Sequence, residues 1–345
     1  MTRTDWQVLP SFRYDTLCLL NILTGDPFYV EFNQQAYDHF KPYITADVAT
    51  ALANVKRILK DEGQSIISAQ LCLFFSAVGG ESLSDMLHVL DDPTALQIGL
   101  QQSPYYEEES WQHFLRSRDD LRTIFHFLET INFADYWQRT ILPEVEDKIQ
   151  GIAAYLSNYD VVSQLEAVIG YTLPSTTITV YVLNYTRPHG IKIIGQRFIT
   201  AVSWSPQIVL RTAIHEMLHP PYNLNADQPL KDAIEALQKD PFISEKFSTH
   251  NTDFGYNSFT GYVEENCVRA LDQFVSETFS IARSPQERWR EEDGGMHVLA
   301  AALYHTLKMQ HFTEGFRDFL YNSLQTHLAP GNLKTVYDSF YASQV

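Results

Sequence analysis

Apolar residues recur at every third or fourth position through most of the chain, which is the spacing of one face of an α-helix. In the first half of the sequence this pattern predicts helices over residues 46–60, 64–77, 113–130 and 144–168. Further along it predicts helices over residues 229–239, 260–281, 295–310, 313–327 and 333–343. The sequence therefore predicts a mainly helical protein.

The helical spacing is interrupted after Pro174, where β-branched and aromatic residues become frequent. Residues 177–185 place Ile178 and Val180 at alternate positions, which is the period of a β-strand. Two shorter strands are expected over residues 191–194 and 198–203. A small β-sheet is therefore predicted beside the helices, and the fold class is α+β, mainly α.

The change of pattern also predicts the domain organisation. We expect a helical N-terminal region over residues 1–170 and a second domain over residues 171–345, which contains the strands and a helical C-terminal part. The length of 345 residues is sufficient for one large domain or for two.

Composition and charge narrow the range of partners. The formal net charge of −17 disfavours nucleic acids and anionic membranes, because both would be repelled. No apolar run reaches the roughly 18 residues that span a bilayer, and the N-terminus lacks the layout of a signal peptide. Cys18, Cys72 and Cys267 are widely spaced in apolar contexts, which predicts reduced core residues. We expect a cytoplasmic protein, and its oligomeric state is open.

Residues 215–219, which follow the predicted strands, read His-Glu-Met-Leu-His. His215 and His219 are one helical turn apart, so both imidazoles can bind the same metal ion. Glu216, the next residue round the helix, can reach a water molecule on that ion. Two nitrogen ligands and a carboxylate base are the arrangement of a zinc hydrolase.

The flanking residues favour a helix for this motif. Ser205 and Pro206 are typical of a helix start, and Pro220 with Pro221 cannot continue a helix beyond His219. The alternative is a solvated helix end that carries two histidines by chance.

A catalytic zinc ion usually has three protein ligands, and the residues directly after the motif offer no third histidine. A carboxylate on a second helix is the better candidate, and residues 262–275 contain Glu264 and Glu265. Glu264 borders the main apolar stripe of that predicted helix, whereas Glu265 lies opposite the stripe. The helical pattern alone favours Glu264 as the inward residue, and both carboxylates could also be plain surface charges.

With a glutamate on a helix downstream of HExxH, the chain resembles the gluzincins, the thermolysin-like branch of the zinc metallopeptidases. The resemblance covers about residues 176–281, and residues 265–270 are similar to an E-x-x-V-R-A stretch of gluzincin-like bacterial proteins. In gluzincins the ligand glutamate lies opposite the main apolar stripe of its helix. The resemblance therefore implies Zn²⁺ bound by His215, His219 and Glu265.

The resemblance also implies a fold, a substrate and a mechanism. Residues 171–345 would form a zincin-like metallopeptidase domain that acts on a peptide or protein. Zinc lowers the pKa of its bound water towards 7, and Glu216 would take the proton of that water. Gluzincins typically stabilise the oxyanion with a tyrosine or histidine, for which His250, Tyr256 and Tyr262 are the candidates.

Two features of the resemblance leave alternatives open. The better-known gluzincins often carry an acidic residue four positions after the ligand glutamate to hold the first histidine, and here that position is Arg269. The hydrogen-bond acceptors of His215 and His219 are therefore unidentified. Residues 198–202 match the edge strand that binds an extended peptide in this family, but they could equally only complete the sheet.

Two other functions compete with a peptidase. A zincin-like domain that binds metal without turnover would act as a regulatory or interaction protein, and the long helical N-terminal region favours it mildly. A helical structural protein with an accidental HExxH would bind no metal.

Overall fold

The computed structural model describes residues 2–254, 256, 258–310 and 315–342, and of Asp253 it describes the backbone alone. This part of the chain is mainly helical and contains one small mixed sheet of four strands, which confirms the predicted fold class. None of its helices is long and apolar enough to cross a membrane.

The chain folds as two compact units. One unit comprises Trp6–Leu156 and Thr177–Val209 and contains most of the sheet. The other comprises the described residues up to Asp5, Ser157–Thr176 and the described residues from Leu210 onward. The sequence pattern suggested one boundary near residue 170, whereas each unit is assembled from separate segments of the chain.

The sheet has the strand order β1-β2-β4-β3. Its strands are β1 (Asp5–Leu9), β2 (Thr177–Leu183), β3 (Ile191–Ile193) and β4 (Arg197–Ala201). Strands β2 and β4 are parallel, with Val180 opposite Phe198, and β3 pairs with β4 antiparallel. The three strands expected from residue 177 onward are confirmed. Strand β1 was not predicted, because its five residues lie in a region that was interpreted as helical.

The position of β4 in the sheet corrects one expectation. Strand β4 has β2 on one side and β3 on the other, so its backbone hydrogen-bonding groups are engaged on both sides. The prediction that residues 198–202 form a peptide-binding edge strand is therefore wrong, and the alternative that this strand completes the sheet is the observed one.

The same unit contains the helices of the N-terminal part. They are α1 (Phe12–Leu23), α2 (Pro27–Phe32), α3 (Gln34–Phe40), α4 (Ala46–Val55), α5 (Ile67–Phe75), α6 (Leu83–Asp91), α7 (Thr94–Gln101), α8 (Glu108–Thr130), α9 (Phe133–Tyr136) and α10 (Leu142–Leu156). Helix α5 packs against β3 and helix α10 against β2, which places the late strands in one unit with the N-terminal helices.

A buried carboxylate of α1 contacts the segment between α9 and α10 and the residues directly after β2. Asp15 of α1 is fully buried and accepts hydrogen bonds from the indole N–H of Trp137, at 2.8 Å, and from the backbone N–H groups of Asn184 and Tyr185. Burial raises the pKa of Asp15 to about 7, although these three donors favour the charged form.

The second unit contains the helices of the C-terminal part. They are α11 (Val161–Ile169), the residues of α12 (Pro206–Met217) from Leu210 onward, α13 (Gln228–Leu237), α14 (Pro241–Thr249), α15 (Phe259–Thr278), α16 (Pro285–Glu291), α17 (Val298–Met309), α18 (Phe316–Gln325) and α19 (Leu333–Ala342). The core of this unit is formed by α15 packed against α17. The expected start of a helix at residue 313 and the expected end of another at residue 343 lie outside the described residues.

The single helix expected over residues 144–168 is two helices, α10 and α11. The second begins at Asp160, whose carboxylate accepts a hydrogen bond from the backbone N–H of Ser163 and caps the new helix. All three cysteines are free and buried, as predicted.

Candidate metal centre

The HExxH residues lie at the C-terminal end of α12. Ser205 begins the helix as predicted, since its hydroxyl oxygen accepts a hydrogen bond from the N–H of Ile208 at 3.3 Å. The α-helix ends at Met217, and the N–H of His219 reaches back to the carbonyl of Glu216 in a tighter turn. This turn still places His219 directly below His215.

The second carboxylate-bearing helix, α15, is buried along most of its length. Its N-cap is Ser258, which accepts a hydrogen bond from the N–H of Gly261. The side chain of Glu265 is only 7% exposed, so the interpretation of this residue as a plain surface charge is wrong. Glu264, on the next face of the helix, has a side chain that is 25% exposed.

Three side chains of this unit bring their donor atoms close together. The Nε2 atoms of His215 and His219 are 3.2 Å apart. One carboxylate oxygen of Glu265 lies 3.6 Å from Nε2 of His215, and the other lies 3.4 Å from Nε2 of His219. A tetrahedral ion about 2.0–2.2 Å from each donor separates the donors by about 3.3–3.6 Å. The three residues could therefore hold a metal ion.

The far nitrogen of each imidazole contacts a carboxylate. Nδ1 of His215 is 2.8 Å from Asp272, and Nδ1 of His219 is 2.9 Å from Glu264. Because a carboxylate only accepts hydrogen bonds, each Nδ1 carries the proton and the neutral form of each ring presents the lone pair of Nε2. Glu264 thus orients a histidine, and Glu265 is the carboxylate that joins the cluster.

Asp272 is the site residue that sequence reasoning missed. It lies seven residues after Glu265, which is two turns further along the same face of α15. The gluzincin pattern has its acidic residue four positions after the ligand glutamate, and here that position is Arg269. The alignment of Glu265 with Asp272 on one face was the signal that pointed to it.

These carboxylates make the site attractive to positive charge. Burial by itself lowers the pKa of His215, but the charge of Glu265 and the contact with Asp272 outweigh burial and raise this pKa to about 10. The pKa of His219 is likewise raised to about 9, chiefly by hydrogen bonds to Glu264 and Glu265 against the effect of burial. A site that favours protons on two imidazoles also favours a divalent cation in their place.

Arg269 contacts Glu265 rather than a histidine. Its Nε donates a hydrogen bond to Glu265 at 2.6 Å. Burial would raise the pKa of Glu265, but Arg269 and His215 hold it well below its usual range. Glu265 is therefore an anion, as a metal ligand must be.

The other predicted site residues differ in their relation to the cluster. Glu216 follows His215 on α12 and is 7% exposed, and it is not one of the three residues whose donor atoms converge. The hydroxyl of Tyr256 donates to Glu265 at 3.2 Å and accepts from Arg269 at 2.8 Å, which places this tyrosine at the edge of the cluster. Burial raises the pKa of Tyr256 well above its usual value, so the hydroxyl keeps its proton.

His250 and Tyr262 have other surroundings. Nδ1 of His250 lies 2.5 Å from the carbonyl oxygen of Phe247, and its ring stacks on the ring of the same phenylalanine. Tyr262 is fully buried and donates its hydroxyl proton to the carbonyl of Met296. Among the described contacts, none joins either residue to the three donor atoms.

Comparisons of the chain with protein-family models, with curated proteins and with solved structures find no match. The relationship to gluzincins therefore stays a prediction. What the fold and the site define is a mainly helical α+β protein with three side chains that could hold a metal ion.

Proposed function

We propose that this protein is a zinc-dependent hydrolase, and that its substrate is a peptide or a protein. The observation that carries the proposal is the convergence of two imidazole nitrogens and one carboxylate at the spacing of metal ligands. Two nitrogen donors and one oxygen donor from a buried site suit Zn²⁺, and three protein ligands leave a fourth position for water or substrate.

Each residue has a defined part in this proposal. Zinc, when bound, polarises the substrate carbonyl and makes a water molecule more acidic. Glu216 accepts a proton at its carboxylate and returns it to the leaving amine. Tyr256 keeps its hydroxyl proton and lies beside Glu265, and in this proposal it turns that proton from Glu265 to a developing oxyanion.

The peptide substrate has narrower support than the metal site. It rests on the resemblance of the HExxH and Glu265 helices to gluzincins, because β4 is an inner strand and offers no free edge. We infer hydrolysis from the presence of Glu216 beside the ligand His215 on a buried helix.

The proposal is tested by metal analysis combined with a peptide-cleavage assay. We expect the purified protein, after growth with added zinc, to contain about one Zn²⁺ per chain and to cleave members of a mixed peptide pool detected by mass spectrometry. Glu216→Gln should keep the zinc and lose the cleavage, since it removes the base and no ligand. Glu235→Gln, at an exposed position of α13, is the matched control and should behave as the wild type.

The outcomes separate the competing functions. Zinc retained by both variants, with no cleavage by the wild type, would favour a metal-binding protein without turnover. A protein that contains no metal even after growth with added zinc would contradict the proposal.

A further inference from the structure

Two arginines donate hydrogen bonds to carboxylates of the candidate metal centre. Arg269 donates to Glu265, and Arg288 donates to Asp272. The side chains of Arg269 and Arg288 are each only 10% exposed. Arg269 lies on α15 and Arg288 on α16, so the two come from different helices. Neither contacts the imidazoles; each acts on the centre through a carboxylate.

Arg269 uses its donors on four partners. Its Nε donates to Glu265 at 2.6 Å, and one terminal nitrogen lies 2.8 Å from Glu292. The other terminal nitrogen donates to Asp293 at 2.9 Å and to the hydroxyl of Tyr256 at 2.8 Å. The orientation of Glu265 thus depends on a guanidinium whose position is set by the residues that directly follow α16.

Arg288 contacts Asp272, the carboxylate next to His215. Both of its terminal nitrogens donate to the carboxylate of Asp272, one of them at 2.9 Å, and this carboxylate contacts Nδ1 of His215. The Nε of Arg288 donates to Glu292 at 2.7 Å. A two-pronged arginine–carboxylate pair fixes direction as well as distance, so Arg288 sets the position of Asp272.

The same oxygen atom of Glu292 joins the two arginines. Oε2 lies 2.8 Å from Arg269 and 2.7 Å from Arg288. The contacts therefore close a ring that runs from Glu265 through Arg269, Glu292, Arg288, Asp272 and His215 back to Glu265. Arg283, whose side chain is 47% exposed, adds a weaker contact at 3.2 Å to the second oxygen of Glu292.

We propose that Glu292 is a positioning residue of the metal centre, which fixes Glu265 and the Asp272–His215 pair relative to each other by bridging Arg269 and Arg288. This inference rests on the proposed function only for the identity of the ion. The ring itself consists of contacts between described residues.

The physical reason is the charge balance inside the ring. Without the carboxylate of Glu292, two largely buried guanidinium groups would face each other with no anion between them. Each would turn towards its remaining carboxylates, and Glu265 and Asp272 would move with them. Because ligands must converge to within a few tenths of an ångström, a small shift of either carboxylate weakens metal binding.

The test compares Glu292→Gln with Glu291→Gln in the full chain. Glu291 is the neighbouring residue, is exposed, and has no ion-pair partner in the described part of the chain, so this control makes the same change of net charge. Zn²⁺ affinity is measured by competition with a chromophoric chelator at a temperature where circular dichroism shows both variants folded. We expect Glu292→Gln to bind Zn²⁺ about tenfold more weakly than the wild type, and Glu291→Gln to bind as the wild type does.

A second readout does not depend on the metal. The proton on Nδ1 of His215, held by Asp272, should give a low-field NMR signal in the metal-free protein, and Glu292→Gln should shift or broaden it while Glu291→Gln leaves it in place. If Glu292→Gln does not fold, Glu292→Asp keeps the charge with a shorter reach, and we expect a smaller loss of affinity and a smaller shift of the signal.

The outcomes distinguish this inference from the proposed function. A Glu292→Gln protein with the affinity and the His215 signal of the Glu291→Gln control would overturn the positioning role, whatever the enzyme does. A wild type that binds zinc and cleaves no peptide would overturn the peptidase, and the affinity comparison would still decide the role of Glu292. If the wild type bound no zinc, the His215 signal alone would decide it.

Discussion

Single residues determine whether the imidazoles of His215 and His219 can act as ligands. Asp272 and Glu264 each contact one Nδ1 atom and orient its ring, and Glu265 faces both Nε2 atoms. At this scale His215 and His219 could be predicted from their spacing alone. The choice between Glu264 and Glu265 needed the resemblance, because the apolar stripe favoured Glu264. The sequence places Asp272 on the same face as Glu265, but its contact with His215 depends on how α15 lies against α12.

The carboxylates behind the imidazoles give a first prediction. Asp272→Asn should weaken Zn²⁺ binding by roughly 10–100-fold, since it removes the charge that keeps His215 basic and oriented. Glu264→Gln should cause a smaller loss, because the side chain of Glu264 is 25% exposed whereas that of Asp272 is 6% exposed. Chelator competition measures both affinities, and an Asp272→Asn protein with wild-type affinity would contradict the assigned role.

The elements show where periodicity succeeds and where it fails. The strands from residue 177 onward and the HExxH helix lie where the pattern places them, because their alternation and caps are local properties. The break between α10 and α11 depends on the cap at Asp160, and π-helical turns replace the end of one expected helix over Lys56–Glu62. The inner position of β4 depends on pairing with β3, which no local pattern reveals.

The buried carboxylate of Asp15, which joins α1 to the residues after β2, gives a prediction about the pH dependence of stability. Because Asp15 has a pKa of about 7 in the folded protein and about 3.9 when unfolded, the folded state binds the extra proton between about pH 4 and pH 7. The free energy of unfolding contributed by this group therefore falls as pH rises through that window, by about 3 kcal/mol from pH 5 to pH 8, and is level above it.

Asp15→Asn should remove that contribution. Urea denaturation at pH 5 and at pH 8 measures the change, and the difference in unfolding free energy between the two pH values should be smaller by about 3 kcal/mol in the variant. Asp147→Asn, at an exposed position of α10, is the matched control and should keep the wild-type difference. An Asp15→Asn protein with the same pH dependence as the wild type would refute the assignment.

At the scale of the whole molecule, the candidate centre lies within one compact unit and is assembled from three parts of the chain, namely the end of α12, helix α15 and the segment that begins with α16. Residues of α12, of α15 and of the segment around Glu292 meet there. Sequence analysis found the first two because both carry a recognisable motif. The third could not be found, because a glutamate next to Glu291 in an acidic run is indistinguishable from a solvated charge until the arginines are placed.

A ligand that binds only the folded state must stabilise it, which gives a prediction for the full chain. Zn²⁺ at 100 times its dissociation constant should add about 2.7 kcal/mol to the unfolding free energy and raise the melting temperature. His215→Ala should abolish this rise, whereas His126→Ala, which removes an exposed imidazole on α8, should retain it. Differential scanning calorimetry with and without added zinc measures the effect, and an equal rise in both variants would place the zinc elsewhere.

The central claim is that two imidazoles and one buried carboxylate bind a common ion, and an anomalous-scattering map at the zinc edge tests it directly. In crystals grown with zinc, we predict one strong peak bonded to Nε2 of His215, Nε2 of His219 and the carboxylate of Glu265, at about 2.0–2.2 Å from each. A map without a peak between these three residues, or with a peak only at other side chains, would contradict the account.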